Sequence, residues 1–273
     1  MHAMESFRMR IPSLRISLTA LLASMALVAC HRSSPAPAAP RPAYTSGDQV
    51  VAAMRGRYNG KWYTTLTFTQ KTSRLLPNDT WTVQTWYEAM HSPGRLRIDF
   101  EPLSAGDGVL YARDTEFVVQ KGKVLQSKPG LNPLLLLGFD IYNQTLSRSL
   151  SQLRREGFDL SRVHEATFDD RPMFVIGARQ GDLRTKQFWI DAEHLYFVRL
   201  IEPAARDSTK VQDIRFVKYR REGNAWIAPR VEIYTGGKLV FYEDYNDIKA
   251  NVPLDEALFD PAKWKTARHW LTP

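Results

Sequence analysis

The chain has 273 residues, 44% of them hydrophobic and 24% charged, with a formal net charge of +8 and one cysteine, Cys30. A chain of that size buries a proper core without covalent staples, and a lone cysteine excludes an internal disulfide. Lys and Arg are scattered rather than clustered with aromatics, so nucleic acid is not an expected partner. Anionic lipid headgroups, or plain solvent, are the natural neighbours of such a surface.

Residues 1–29 hold Arg8, Arg10 and Arg15 and then an apolar run over 16–28, broken by Ser17, Thr19 and Ser24. The run is shorter than the roughly 20 residues that cross a hydrocarbon core. Its length and basic flank are those of a secretory signal. It ends in Leu27-Val28-Ala29-Cys30, which resembles the lipobox of bacterial lipoproteins. The resemblance implies removal of residues 1–29 and attachment of diacylglycerol, with further acylation such as palmitate, at Cys30. Two or more acyl chains anchor a protein stably to a bilayer. His31 follows the cysteine, unlike the Asp of an inner-membrane retention signal. The expected location is therefore the periplasmic side of a Gram-negative outer membrane. Residues 30–46 read as a linker, because Pro35, Pro37, Pro40 and Pro42 favour extended, unpaired backbone.

Residues 47–268 read as one domain. Val50, Val51 and Met54 form an apolar stripe on a helix near 47–58. Alternation then takes over. In 95–101, Leu96, Ile98 and Phe100 face one way and four charged residues the other, the pattern of antiparallel strand with one dry face. Similar alternation recurs at 63–70, 80–90, 109–112, 173–178, 186–191, 196–202, 211–221 and 238–245. Turn chemistry such as Pro77-Asn78-Asp79, Ser92-Pro93-Gly94 and Gly236-Gly237 lies between. The expectation is a mainly β fold, an incomplete antiparallel barrel or half-barrel meander of about 11–12 strands. No strand–helix alternation suggests a parallel sheet. One helical insertion, 131–157, interrupts the meander. Its first part is apolar nearly all round, and Leu146, Leu150 and Leu153 line one face of the second. The insertion is expected to cap the sheet.

No catalytic or cofactor motif stands out. His2, His31, His91, His164, His194 and His269 make no His-x-x-x-His pair, so no metal site is expected. There is no Gly-x-Ser-x-Gly elbow and no phosphate-binding glycine loop. Asp169-Asp170 before Arg171-Pro172 reads as a turn. An enzyme is not expected, and neither is a cofactor. The candidates for an apolar inner face are Leu66 and Phe68; Trp81, Val83 and Tyr87; Leu96, Ile98 and Phe100; Phe188 and Ile190; and Phe216, Ile233 and Phe241. Leu134, Leu135 and Leu137 join them from the insertion. Trp86 falls on the opposite face from Trp81, with Gln84 and Glu88.

Phe188-Trp189-Ile190-Asp191, a short turn and Leu195-Tyr196-Phe197-Val198-Arg199-Leu200-Ile201-Glu202 resemble a hairpin of the outer-membrane lipoprotein-sorting family, the LolA/LolB-like fold. Residues 252–261, Val-Pro-Leu-Asp-Glu-Ala-Leu-Phe-Asp-Pro, are similar to its closing segment. The resemblance implies helices lidding an apolar cavity that takes acyl chains. Arg95 and Arg97 stand equally for the family's lid-holding arginine, and Leu75-Leu76 for its protruding apolar loop. The expected partner is a lipid or acylated lipoprotein, with the membrane reached through Cys30. A tethered protein suits the role of acceptor, local handler or sensor better than that of shuttle. The rival reading is an envelope protein-interaction module or stress sensor, with the cavity filled by 131–157.

Overall fold

The computed structural model describes residues 43–271. The signal segment, Cys30 and most of the linker lie outside them. Ser46 caps the first helix, Gly47–Tyr58, by accepting from the Gln49 N–H at 3.4 Å. The helix buries Val50, Val51, Met54 and Tyr58. Gly47 is required by close approach: a Cβ there would lie 2.5 Å from Ile176 Cγ2 and 3.2 Å from the Leu160 carbonyl oxygen.

Fifteen strands follow among the described residues: β1 (Thr65–Leu75), β2 (Trp81–His91), β3 (Arg95–Phe100), β4 (Gly108–Ala112), β5 (Thr115–Gln120), β6 (Lys123–Pro129), β7 (Val163–Phe168), β8 (Arg171–Ile176), β9 (Gln187–Asp191), β10 (Phe197–Ala204), β11 (Asp207–Val217), β12 (Arg220–Glu222), β13 (Ala225–Ile227), β14 (Arg230–Thr235) and β15 (Lys238–Ala250). Thirteen make one antiparallel sheet in the order β6-β5-β4-β3-β2-β1-β15-β14-β11-β10-β9-β8-β7, and β12 and β13 form a separate hairpin. The mainly β, unclosed sheet agrees with the expectation. The expected single strand over 211–221 is divided, because Lys218 takes a left-handed backbone (φ 61°) that ends β11 before β12 begins.

Each half of the sheet is a meander, and the halves join where β1 pairs with β15. The outer strands, β6 and β7, are consecutive in sequence. The 131–157 insertion connects them, so the chain must cross from one sheet edge to the other. It crosses as a helical turn Pro133–Leu135, a π-helical turn Leu136–Asp140, a further turn Ile141–Asn143 and a helix Leu146–Arg155. This is the physical reason the insertion caps the sheet.

The main core gathers Val50, Val51 and Met54 with Leu136, Leu137, Ile141 and Tyr142 of the insertion, and with Phe174, Ile176, Phe188, Ile190 and Phe197 of the sheet. A smaller core lies on the other face of β2 and β4, where Ala89, Leu110, Ala112 and Val119 meet Leu258, Phe259 and Trp264 of the closing segment. The hairpin that carried the family resemblance is structural. Asp191 Oδ1 accepts from the Glu193 and His194 N–H groups at 3.1 and 2.6 Å, which sets the turn. Arg199 forks onto Asp213 through two 2.7 Å hydrogen bonds and lies over the rings of Phe168 and Trp189.

Candidate functional site

Hairpin register decides which side chains face the insertion. β2 and β3 pair Met90 with Leu96, Glu88 with Ile98 and Trp86 with Phe100. β1 and β2 pair Leu66 with Met90, Phe68 with Glu88 and Gln70 with Trp86. Directly paired residues share a face, so these side chains belong to the inner face. Beneath the first turns of the insertion lies a cavity of about 80 Å³. Its apolar lining comes from Phe68, Trp86, Met90, Leu96, Ile98, Phe216 and Tyr245 on the sheet and from Leu134, Leu135 and Phe139 on the lid. Asn132, Glu88 and Glu243 complete it. That volume holds a few waters, well short of the roughly 300 Å³ at which small-ligand pockets begin. The lid is closed.

The two ends of the lid are held differently. At the distal end, Asp140 accepts from Ser92 Oγ and the Gly94 N–H, both at 2.9 Å, which ties the π-helical turn to the β2–β3 turn. Burial pushes this carboxyl up to about 6 against those two hydrogen bonds. Tyr142 stacks on Trp62 with ring centroids 3.8 Å apart and accepts from the Phe197 N–H at 3.1 Å. Asn143 donates to the Tyr63 carbonyl at 3.0 Å. At the proximal end, Asn132 uses its side-chain oxygen on the lid itself, accepting from the Leu134 and Leu135 N–H groups at 2.9 and 3.2 Å. Leu134 and Phe139 are only partly buried.

The cavity also carries polar groups. Glu88 is 6% exposed, and Gln70, on the same face but outside the lining, is fully buried. Burial holds the Glu88 carboxyl well above the usual carboxylate range, and the nearby Glu243 charge adds to this. Burial pushes Glu243 up to about 7, opposed by hydrogen bonding from Tyr245 and Gln70.

The predicted residues fall into four groups. Phe68, Leu96, Ile98, Leu134, Leu135 and Phe216 line the cavity. Phe100, Ile233 and Phe241 share the inner face at its rim: Phe100 packs on Trp86 with centroids 4.8 Å apart, and Ile233 pairs with Phe241. Leu66, Leu137, Phe188 and Ile190 are core residues, each fully buried outside the cavity. Trp81, Val83 and Tyr87 lie on the outer face. Tyr87 pairs with Asp99 and Thr69, while Trp81 and Val83 are 40% and 64% exposed. That assignment is corrected: the apolar count of β2 favoured the odd-numbered residues, but the cavity side of this strand is Trp86, Glu88 and Met90. Trp86, Glu88, Met90, Phe139, Glu243 and Tyr245 were missed. The signal for three of them was present, since inward Leu96, Ile98 and Phe100 force Met90, Glu88 and Trp86 inward across a tight turn.

Neither candidate arginine reaches the lid. Arg95 pairs with Glu256 and lies over Phe259. Arg97 is bidentate on Asp99 at 2.8 and 2.9 Å, donates to the Trp264 carbonyl at 3.1 Å and lies 3.8 Å from the Trp264 ring centroid. Both hold the closing segment on the outer face. Among the described residues, no group of three or more His, Cys, Asp and Glu side chains is gathered as a metal requires. No helix there is long and apolar enough to cross a membrane.

No family model and no curated protein sequence matches the chain. Solved structures do. A domain described as outer membrane lipoprotein-sorting, from Vibrio parahaemolyticus, superposes with a TM-score of 0.52 at 12% identity, covering 80% of this chain and 97% of its own. A DUF1329 family protein from Desulfovibrio piger gives 0.52 at 10% identity, over 80% and 98%. A LolA superfamily protein from Nitrosomonas europaea gives 0.49 at 13% identity, over 80% and 98%. The shared feature is a large unclosed antiparallel sheet with a few helices, and in this respect the chain has the LolA-like fold of the lipoprotein-sorting domains.

Proposed function

We propose that this protein is a lipid-anchored envelope protein that takes an acyl chain of a lipid or acylated lipoprotein into the space under its lid, without chemistry of its own. The observation that carries the reading is the lid itself. An apolar segment bridges the two sheet edges over an apolar face and leaves a residual cavity between them. Uptake requires the proximal lid, 131–139, to lift while the distal latch at Asp140 stays in place. Burying about ten methylenes at ~0.8 kcal/mol each gives several kcal/mol, against which the cost of lifting and ordering the lid is set. The Leu-Val-Ala-Cys30 lipobox supports an anchor at the outer membrane facing the periplasm, and that anchor favours an acceptor or local handler. Labelling with radioactive palmitate, lost in Cys30→Ser, tests the anchor.

The cavity is tested by purifying the protein natively and extracting it for lipid mass spectrometry. The expected result is a co-purifying acyl lipid or acylated peptide. An empty protein that also takes up no fatty-acyl probe would overturn the reading. The nearly filled cavity favours one alternative, an interaction module for an envelope protein. In-cell crosslinking from exposed Leu125 on edge strand β6 would then capture a single protein in place of lipid.

A further inference from the structure

The cavity has an excess of hydrogen-bond acceptors. Among the described residues, no hydrogen bond or cation reaches the Glu88 carboxyl, although it lines the cavity and is 6% exposed. Behind the lining, Gln70 sits between Trp86 and Tyr245 in the register, is fully buried, and its Oε1 has no partner. Glu243 receives hydrogen bonding from Tyr245 Oη, at 3.1 Å, and from Gln70, and is likewise not paired with Lys or Arg.

The nearby donors are already committed. Trp86 Nε1 donates to Gln84 at 2.9 Å, Gln70 Nε2 to Thr72 at 2.8 Å and toward Glu243, and the Tyr245 hydroxyl to Glu243. The Asn132 amide nitrogen is the donor left over, at the partly exposed start of the lid. Buried acceptors without donors are costly, so this arrangement suits a ligand that brings donors and positive charge. A carboxylate or phosphate end would meet two acids and no cation. A trimethylammonium end would bring charge without an N–H.

We propose that the cavity is built for an amphiphile whose polar end is a primary ammonium, seated between Glu88 and Glu243 with its chain against Phe68, Leu96, Ile98 and Leu134. The inference rests on the acyl-chain reading above and narrows its ligand class. Docking an ammonium also ionises an acid pair that burial otherwise keeps partly protonated, so binding near neutral pH releases protons.

The test is titration of the full-length protein with dodecylamine, dodecyltrimethylammonium, dodecanol and dodecanoate near neutral pH. Affinity is read by calorimetry in two buffers of different ionisation enthalpy. Dodecylamine is expected to bind at least about tenfold more tightly than the other three, with net proton release. Glu88→Gln and Glu243→Gln each reduce that preference, and the double variant abolishes it while dodecanol affinity stays within about threefold, which shows that the cavity is intact. A short-chain phosphatidylethanolamine, run alongside, separates a phospholipid source from a bare amine. Equal binding of all four chains, or a preference that survives the double variant, would overturn this proposal and leave the acyl-chain reading standing. Binding of none would overturn both.

Discussion

The two ends of the inner face are built from similar residues and do different things. Under the N-terminal helix, Phe174, Phe188, Ile190 and Phe197 share one buried core with Val50, Val51 and Met54, and Phe158 closes edge-on against Phe188 at 5.1 Å. Under the proximal lid, Phe68, Met90, Leu96 and Ile98 meet Leu134, Leu135 and Phe139 and leave a cavity. The second region also carries two acids, Glu88 and Glu243, that are paired with no Lys or Arg. A core built only for stability fills its voids and excludes unpaired polar atoms. The hollow end does neither, while the packed end holds the sheet in shape. On the proposed function, the packed end serves stability and the hollow end binding.

The largest expected effect tests the packed end. Phe188→Ala, at a fully buried position, should cost ~3–5 kcal/mol in urea unfolding. Phe139→Ala, beside the cavity, should cost under ~1.5 kcal/mol because half of its surroundings are already open. Equal costs would erase the distinction between the ends.

Next in size is pH. Asp140 and Glu243 titrate near 6 and 7 in the folded protein, above their ordinary values of 3.8 and 4.5, and Glu88 is also raised. The folded state therefore binds more protons than the unfolded one through this window, so these groups withdraw stability as pH rises from about 4 to about 7. His91 acts in the opposite sense, because burial and Arg95 lower its pKa. The comparison that isolates the acids is thus variant against parent. Glu88→Gln should lose less stability than the parent between the acid and neutral ends of the range. A parallel pH dependence would mean that Glu88 is not buried as described.

The latch comes third. Ser92→Ala removes one of the two hydrogen bonds to Asp140 and should cost ~1–2 kcal/mol. Amide exchange should accelerate over 136–143 and stay unchanged over β10. Smallest of all, Val83→Ala on the outer face should change stability by less than ~0.5 kcal/mol and leave chain uptake unaltered, whereas Met90→Ala should alter uptake.

Much of the fold was legible in the sequence because its signals are local. Alternation such as Leu96, Ile98 and Phe100 marks strands, and turns such as Ser92-Pro93-Gly94 separate them. The capping role of 131–157 was legible because an apolar segment between strands has to be buried somewhere. The site was only half legible. Choosing the inner face of β2 by apolar count selected Trp81, Val83 and Tyr87, a rule that holds only for a dry core. Here the inner face carries Gln70, Glu88 and Glu243, so on β2 it is less apolar than its reverse. The reverse looks core-like because Ala89 packs beneath Leu258, Phe259 and Trp264, a long-range contact that no local pattern announces. Register across the β2–β3 turn was the information that would have corrected it.

The most direct test places a chain next to Trp86. Because Trp86 lines the cavity, an amphiphile with a brominated chain bound under the lid should quench its fluorescence, and the quenching should largely vanish in Trp86→Phe. Quenching that is undiminished in Trp86→Phe would put the chain elsewhere, and no saturable quenching in the parent would mean that the cavity does not open to a chain; either result contradicts the account.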